Sequence, residues 1–138
     1  MRIVVDTNVL VAALWSQVGA SHTVLLHIHN RRVRPLLSVP LLMEYEEVLK
    51  RPGLLPHLTP AEIDTVLDQF ASRAVAQRIH FLWRPFLPDP DDDMLVELAL
   101  AGQASHIVTS NIRDLAPARA LGLQVMTPRE FIRQVGPP

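Results

Sequence analysis

Acidic residues recur where the sequence passes from an apolar run into a helix-like segment. Asp6 directly follows the first apolar run, and Asp114 follows the run at 107–109 by five residues, with Asn111 between them. Three further acids open a later helical segment: Asp91, Asp92 and Asp93. Like charges raise one another's pKa unless a cation neutralises them, and an all-oxygen cluster in a chain without cysteine suits Mg²⁺ or Mn²⁺. Together the acids predict a divalent-metal site, whereas each taken singly is explained equally well as a helix cap.

One glutamate joins this set because of its helical position. Glu44 has Leu41 three residues before it and Val48 four residues after it, which places it on the apolar face of a predicted helix. A carboxylate there costs free energy unless it is paired or bound to a cation. Glu46 and Glu47 each precede a basic residue by four positions, the spacing of exposed helix ion pairs. Glu44 is therefore predicted to face the site and the other two to face solvent.

The elements that must position these acids alternate along the chain. Short apolar runs predict strands at 3–5, 33–37, 79–82, 106–109 and 123–126. Helical spacing predicts helices over 9–15, 21–30, 38–50, 60–74, 94–101 and 128–135. Strands separated by helices imply a parallel sheet covered on both faces, a three-layer α/β/α fold. Ligands in such folds bind outside the carboxyl ends of the strands, where most of the acids fall.

Local signals mark several helix starts. Ser38 precedes Pro40, and two capping boxes follow the pattern Thr-Pro-x-Glu, at 59–62 and 127–130. Asp92 or Asp93 is predicted to cap the helix that ends near residue 101. Asp89 lies between two prolines and is predicted to be a turn residue.

Composition excludes several classes of protein. The chain has 138 residues, 49% of them hydrophobic and 20% charged, which predicts a single folded domain over 1–138 and argues against disorder. It has no cysteine, which excludes disulfide scaffolds and thiolate sites, and nothing argues against a reducing cytoplasm. The longest apolar run, 9–15, is far shorter than the roughly 20 residues of a membrane span, so no membrane association is expected. The net charge of −1 does not indicate a strongly basic nucleic-acid binder, and the six histidines are scattered and form no site.

The order and spacing of these motifs resemble those of PIN domains. The likeness lies in Asp6-Thr7-Asn8 after the first strand, in the helical Glu44, and in an aspartate at the start of the 94–101 helix. The stretches 44–49 (EYEEVL), 89–93 (DPDDD) and 108–111 (VTSN) are similar to a branch described as toxins of type II toxin–antitoxin systems, related to the VapC ribonucleases. The resemblance runs from residue 1 to about residue 132. It implies that the site acids are Asp6, Glu44 and Asp93.

The sequence departs from the family pattern at the fourth acid. Many members have an aspartate where this chain has Asn111, and Asp114 follows three residues later. The resemblance implies that Asn111, Asp114 or both do this work, with one or two metal ions left open.

Three or four carboxylates around Mg²⁺ or Mn²⁺ suit hydrolysis of a phosphodiester, and the resemblance implies RNA as the substrate. We expect Asp6 and Asp93 to bind the metal directly, and Glu44 and Asp114 to complete the shell or to hold its waters. Thr7 and Asn8 either orient Asp6 and contact phosphate or serve as helix caps. Arg113, beside Asp114, is the predicted phosphate contact. A basic rim at 31–34 is better explained as a solvated turn.

Two other functions compete with this one. A phosphatase with an aspartyl nucleophile also begins with a strand-end aspartate, but Asn8 occupies the position of its second aspartate. A PIN-like module that binds RNA or a protein without cleavage is kept open by Asn111. Trp15, Trp83 and Phe86 are expected to be core residues rather than base-stacking ones.

The resemblance also implies a homodimer and an antitoxin whose tail enters the acidic groove. The predicted helix 9–15 is apolar on nearly every face. It is therefore buried either against a second subunit or deep within the monomer.

Overall fold

A single parallel sheet forms the centre of the protein. The computed structural model describes residues 1–79 and 87–138. In the described residues the sheet has five strands, in the order β3-β2-β1-β4-β5, with every neighbouring pair parallel. The strands are β1 (Arg2–Val5), β2 (Arg34–Leu37), β3 (Val75–Ala76), β4 (His106–Val108) and β5 (Gln124–Met126).

Seven described helices surround this sheet. They are α1 (Thr7–Trp15), α2 (Ala20–His29), α3 (Val39–Leu49), α4 (Pro60–Arg73), α5 (Pro90–Ala101), α6 (Ile112–Leu115) and α7 (Pro128–Val135), with a 3-10 helix over Ala116–Leu121. Helix α5 packs against the three central strands, α4 contacts β2, and α6 and α7 contact β5. The predicted α/β/α architecture is confirmed.

The central strand β1 is buried along all but its first residue. Ile3, Val4 and Val5 are fully buried, which explains why the run is β-branched rather than alternating. Around them pack large buried side chains from several helices, such as Tyr45 and Phe131. This packing holds the carboxyl end of β1, and Asp6 after it, in a rigid frame.

The third strand lies in a different place from the predicted one. It spans Val75–Ala76, directly after α4, and pairs with β2 at the edge of the sheet. Ile79 lies outside any strand, and the rest of the predicted run 79–82 lies outside the described residues, as do Trp83 and Phe86. Two residues are too few to produce a periodic pattern, so the position of this strand depends on its partner.

The predicted caps of α3, α4 and α7 are confirmed, whereas α1 has no side-chain capping bond and α5 has a different cap. The Ser38 hydroxyl accepts a hydrogen bond from the Leu41 amide at 3.2 Å, and both capping boxes are formed. Helix α5 begins one turn earlier than predicted, and the Asp89 carboxylate accepts from the Asp91 amide at 2.9 Å. The prediction that Asp92 or Asp93 caps this helix is wrong, because Pro90 is already suited to the first helical position. Asp89, and neither Asp92 nor Asp93, is the N-cap of α5.

Within the described ranges, no single helix is long and apolar enough to cross a membrane. Helices α1 and α2 meet the criterion only together, and they join at an angle of 101°.

Candidate active site

An acidic cleft of about 370 Å³ lies at the carboxyl ends of β1 and β4. Its acidic lining comes from three separate elements: the end of β1, helix α3 and the start of α5. The described lining residues are Asp6, Thr7, Asn8, Val11, Glu44, Val48, Arg51, Leu54, Asp89, Asp91, Asp92 and Asn111. The parallel topology therefore brings most of the acids predicted from sequence to one edge of the sheet.

Asp6 lies at the bottom of this cleft. It is 9% exposed, and its backbone amide continues the ladder to β4 by donating to the Val108 carbonyl at 2.9 Å. Its carboxylate oxygen Oδ2 accepts from the Thr109 hydroxyl at 2.8 Å and from the side-chain amide of Asn8 at 3.2 Å. Burial raises the pKa of Asp6, and hydrogen bonds, led by that of Thr109, only partly offset this. Asp6 forms no side-chain capping bond to α1, so the explanation as a cap does not account for it.

Glu44 faces Asp6 from helix α3. The Thr7 hydroxyl donates a hydrogen bond to the Glu44 carboxylate, which joins the start of α1 to α3. Burial raises the pKa of Glu44, and the negative charges of Asp91, Asp6 and Asp89 raise it further. The neighbouring Tyr45 is fully buried and donates its hydroxyl to the Val5 carbonyl, which ties α3 to the end of β1.

The other two glutamates of α3 face away from the site, as predicted. Glu46 pairs with Lys50 at 3.0 Å, and Glu47 pairs with Arg51 at 3.0 Å. Both pairs are separated by four residues along the chain, so the assignment of α3 faces from periodicity is confirmed.

The structure brings Asp92, rather than Asp93, to the cleft. Asp92 is half-buried, and its pKa is raised to about 6 by burial and by the negative charges of Asp89, Asp6, Asp114 and Asp91. By contrast, Asp93 is 8% exposed, and its carboxylate accepts from the Leu87 amide at 2.7 Å. In the described parts of the chain, the lining of the cleft does not include Asp93. Sequence periodicity could not choose between the two, because residues 95–99 of α5 are all buried.

The loop after β4 brings Asn111 to the cleft. Its side-chain amide donates to the Asp114 carboxylate at 2.9 Å, so the two candidates for the fourth position form a pair. Asp114 itself is exposed and lies outside the described lining, although its charge contributes to the raised pKa of Asp92.

Thr109 is a site residue that sequence reasoning missed. It is fully buried, and its hydroxyl, which donates to Asp6, also accepts from the Asn111 amide at 2.9 Å. The Asn8 side chain accepts from the Ser110 amide at 3.1 Å and so holds the same loop. The signal in the sequence was a hydroxyl residue directly after an apolar strand, which by itself also fits a strand end.

The cationic side chain at the cleft differs from the predicted one. Arg51 lines the cleft, whereas Arg113 is exposed and is not among the described lining residues. The basic segment 31–34 lies before β2 or at its first residue. It is therefore at the amino ends of the strands, and the cleft is at their carboxyl ends. The sequence spacing predicted Arg51 only as the ion-pair partner of Glu47. It gave no sign that Arg51 also lines the cleft.

The donor set of the cleft fits a hard divalent cation in its chemistry. Every candidate ligand is a carboxylate or amide oxygen, and the pKa values of Asp6, Glu44 and Asp92 are raised first by burial and then by neighbouring negative charges. Among residues 1–79 and 87–138, however, no three Asp, Glu or His side chains are arranged to hold an ion. Mg²⁺ usually keeps several of its waters and takes only one or two carboxylates directly, so three convergent side chains are not a requirement for binding it.

Comparison with known proteins identifies the family of this chain. The pattern of the PIN domain family matches residues 2–113. No curated protein matches the sequence. A solved structure described as VapBC2 from Rickettsia felis, bound to a DNA fragment from its promoter, matches with a TM-score of 0.60 and 18% identity. That match covers 91% of this chain and 97% of the other, so the fold is shared over nearly the whole length. PIN domains are generally nucleases and typically use divalent metal ions. With this pattern over residues 2–113 and an acidic cleft at the carboxyl ends of its strands, the chain belongs to the PIN domain family.

Proposed function

We propose that this protein is a Mg²⁺- or Mn²⁺-dependent endoribonuclease that hydrolyses RNA phosphodiester bonds as the toxin of a toxin–antitoxin pair. The observation that carries the proposal is that Asp6, Glu44 and Asp92 come from three separate elements and meet in one cleft. Burial and mutual repulsion raise the pKa values of all three, which is costly for the protein unless a cation offsets their charge.

The residues that would hold the metal follow from their places in the cleft. We assign Asp6 and Asp92 as direct ligands, with Glu44 and the Asn111–Asp114 pair holding its waters. A bound Mg²⁺ or Mn²⁺ supplies a water of lowered pKa and offsets negative charge on the phosphate. The resemblance implied Asp93 in place of Asp92, and the bond from the Leu87 amide supports a structural role for Asp93 instead.

The remaining polar side chains keep the carboxylates in position. Thr109 and Asn8 both donate to Oδ2 of Asp6, which limits rotation of that carboxylate, and Thr7 does the same for Glu44. Preorganised ligands of this kind do not have to be ordered when metal and substrate arrive. We therefore assign Thr7, Asn8 and Thr109 as positioning residues.

An antitoxin partner and a homodimer belong to the same proposal. The structural neighbour is a VapBC complex, which supports a protein partner. For the dimer, support from α1 is limited to its end, because Val9, Leu10 and Ala13 are buried within the monomer. Trp15 is 60% exposed, so the expectation that it is a core residue is wrong. Sedimentation at micromolar concentration measures the oligomeric state, and a strictly monomeric protein would remove the dimer from the proposal.

The test is cleavage of a mixed pool of RNA by the purified protein, with Mg²⁺ or Mn²⁺ and with EDTA. Wild type and Glu46→Gln should cleave in the presence of metal, whereas Asp6→Asn should lose most of the activity while keeping its fold. Equal cleavage by wild type and Asp6→Asn would indicate a contaminating nuclease and refute the proposal. RNA binding by wild type without any cleavage would instead identify the non-catalytic binding module.

A further inference from the structure

Of the described residues that line the acidic cleft, Arg51 alone carries a positive charge. Five carboxylates line the same cleft: Asp6, Glu44, Asp89, Asp91 and Asp92. RNA is a polyanion whose affinity for proteins comes largely from phosphate contacts with basic side chains. The cleft therefore needs a cationic group that a phosphate can reach, and Arg51 is in a position to supply it.

Helix α3 places Arg51 on the same side as the site glutamate. Glu44, Val48 and Arg51 follow one another at spacings of four and three residues, and all three line the cleft. Arg51 lies just past the end of α3, in a turn where its carbonyl accepts from the Leu54 amide at 3.2 Å. Seven residues along a helix span roughly 10 Å. Arg51 therefore lines the cleft from beyond the end of α3, roughly two helical turns along the chain from Glu44.

Arg51 pairs with Glu47, a partner that a phosphate can replace. Its Nη2 lies 3.0 Å from Oε2 of Glu47, and its Nε donates to Oε1 of the same carboxylate at 3.3 Å. The two side chains are 57% and 62% exposed. Exposed ion pairs contribute little to stability, while an arginine fork fits a phosphate as well as it fits a carboxylate. Glu47 thus keeps the guanidinium in a fork geometry at little energetic cost.

We infer that Arg51 binds a backbone phosphate of the RNA next to the phosphodiester that is cleaved, exchanging Glu47 for that phosphate. The inference rests on the proposed nuclease function and identifies the residue that holds the substrate. Because this phosphate does not react, the contact stabilises the bound substrate and the transition state equally. Its loss should raise KM and leave kcat nearly unchanged.

The experiment compares Arg51→Gln with the same change at Arg34, which is exposed at the amino end of β2 on the opposite edge of the sheet. Arg51→Gln should raise KM for RNA about five- to tenfold, with kcat within about twofold. This factor corresponds to the loss of one charged hydrogen bond to phosphate, reduced by the exposed ion pair with Glu47 that the bound state gives up. Arg34→Gln should leave both constants unchanged. Arg51→Lys keeps the charge without the fork and should give an intermediate KM.

Salt dependence provides a second readout that a structural role would not change. Each phosphate contact on single-stranded nucleic acid contributes about 0.7 to the slope of log affinity against log salt, so Arg51→Gln should lower that slope by about this amount. Arg113→Gln tests the residue that the sequence alone favoured. If Arg113→Gln changes KM and the salt slope while Arg51→Gln changes neither, the inference is overturned.

Binding separates failure of this inference from failure of the proposed function. Fluorescence anisotropy measures binding of a short single-stranded RNA to the Asp6→Asn variant with and without Arg51→Gln. If wild type cleaves no RNA, the nuclease function is refuted, and weaker RNA binding with Arg51→Gln still supports the phosphate contact. If wild type cleaves RNA but Arg51→Gln leaves KM, binding and the salt slope unchanged, only the role of Arg51 is refuted.

Discussion

Replacement of Asp92 by asparagine should stabilise the metal-free protein. The pKa of Asp92 rises from its ordinary value of 3.8 to about 6 in the folded protein, so its charged form, which predominates at neutral pH, costs more free energy there than in the unfolded chain. The difference of roughly two pKa units corresponds to an upper bound of about 3 kcal/mol, but solvent screening of this half-exposed group and the dipole of α5 reduce it to about 1 kcal/mol. We expect Asp92→Asn to raise the free energy of unfolding by that amount at pH 7.5 in EDTA.

The same reasoning fixes the sign of the pH dependence. The folded protein binds the proton on Asp92 more tightly than the unfolded chain does. Asp92 therefore contributes a stabilisation that is present at low pH and is lost as pH rises from about 4 through about 6. Between these limits the metal-free wild type should gain about 1 kcal/mol relative to Asp92→Asn as pH falls. This direction is opposite to ordinary acid denaturation.

Urea unfolding of three proteins measures both effects: wild type, Asp92→Asn and Asp68→Asn. Asp68 is an exposed acid on α4, outside the described lining of the cleft, so its replacement should change stability by less than about 0.5 kcal/mol. Added Mg²⁺ should stabilise wild type more than Asp92→Asn, because only wild type keeps both proposed ligands. If Asp92→Asn were less stable than wild type in EDTA at pH 7.5, burial and repulsion would not make the charged Asp92 costly in this cleft, and the reasoning would be refuted.

Four other substitutions, one of them a control, test the assigned roles. Glu44→Gln should lower RNA cleavage by orders of magnitude, while Glu46→Gln should change stability by no more than about 0.5 kcal/mol and leave cleavage intact. Asp93→Asn keeps an acceptor oxygen for the Leu87 amide and should cleave RNA within a few-fold of wild type; loss of cleavage equal to that of Asp92→Asn would restore Asp93 as a ligand. Thr109→Val removes the buried donor to Asp6 and the acceptor of the half-buried Asn111 amide, so urea unfolding should show a loss of about 1–3 kcal/mol and cleavage should require more Mg²⁺. An unchanged requirement for Mg²⁺ would show that Thr109 does not position Asp6.

Those features that depend on short stretches of chain could be predicted from the sequence. The apolar run before Asp6 predicted the central strand, and the capping boxes at 59–62 and 127–130 begin helices where expected. Glu44 was separated from Glu46 and Glu47 because α3 has one apolar face, and a period of 3.6 residues distinguishes its faces. The alternation of strands and helices predicted that the sheet is parallel, since parallel strands need crossover connections and these are usually helices.

Features that depend on neighbouring elements could not be predicted in this way. Helix α5 is buried on most sides, so periodicity could not tell Asp92 from Asp93, and packing against three strands decided which acid reaches the cleft. Arg51 and Arg113 both have long, flexible side chains that the sequence does not distinguish. Arg51 lines the cleft because α3 packs beside the carboxyl end of β1. The acids lie far apart in sequence, and a parallel sheet brings its carboxyl ends together only when the whole domain has folded.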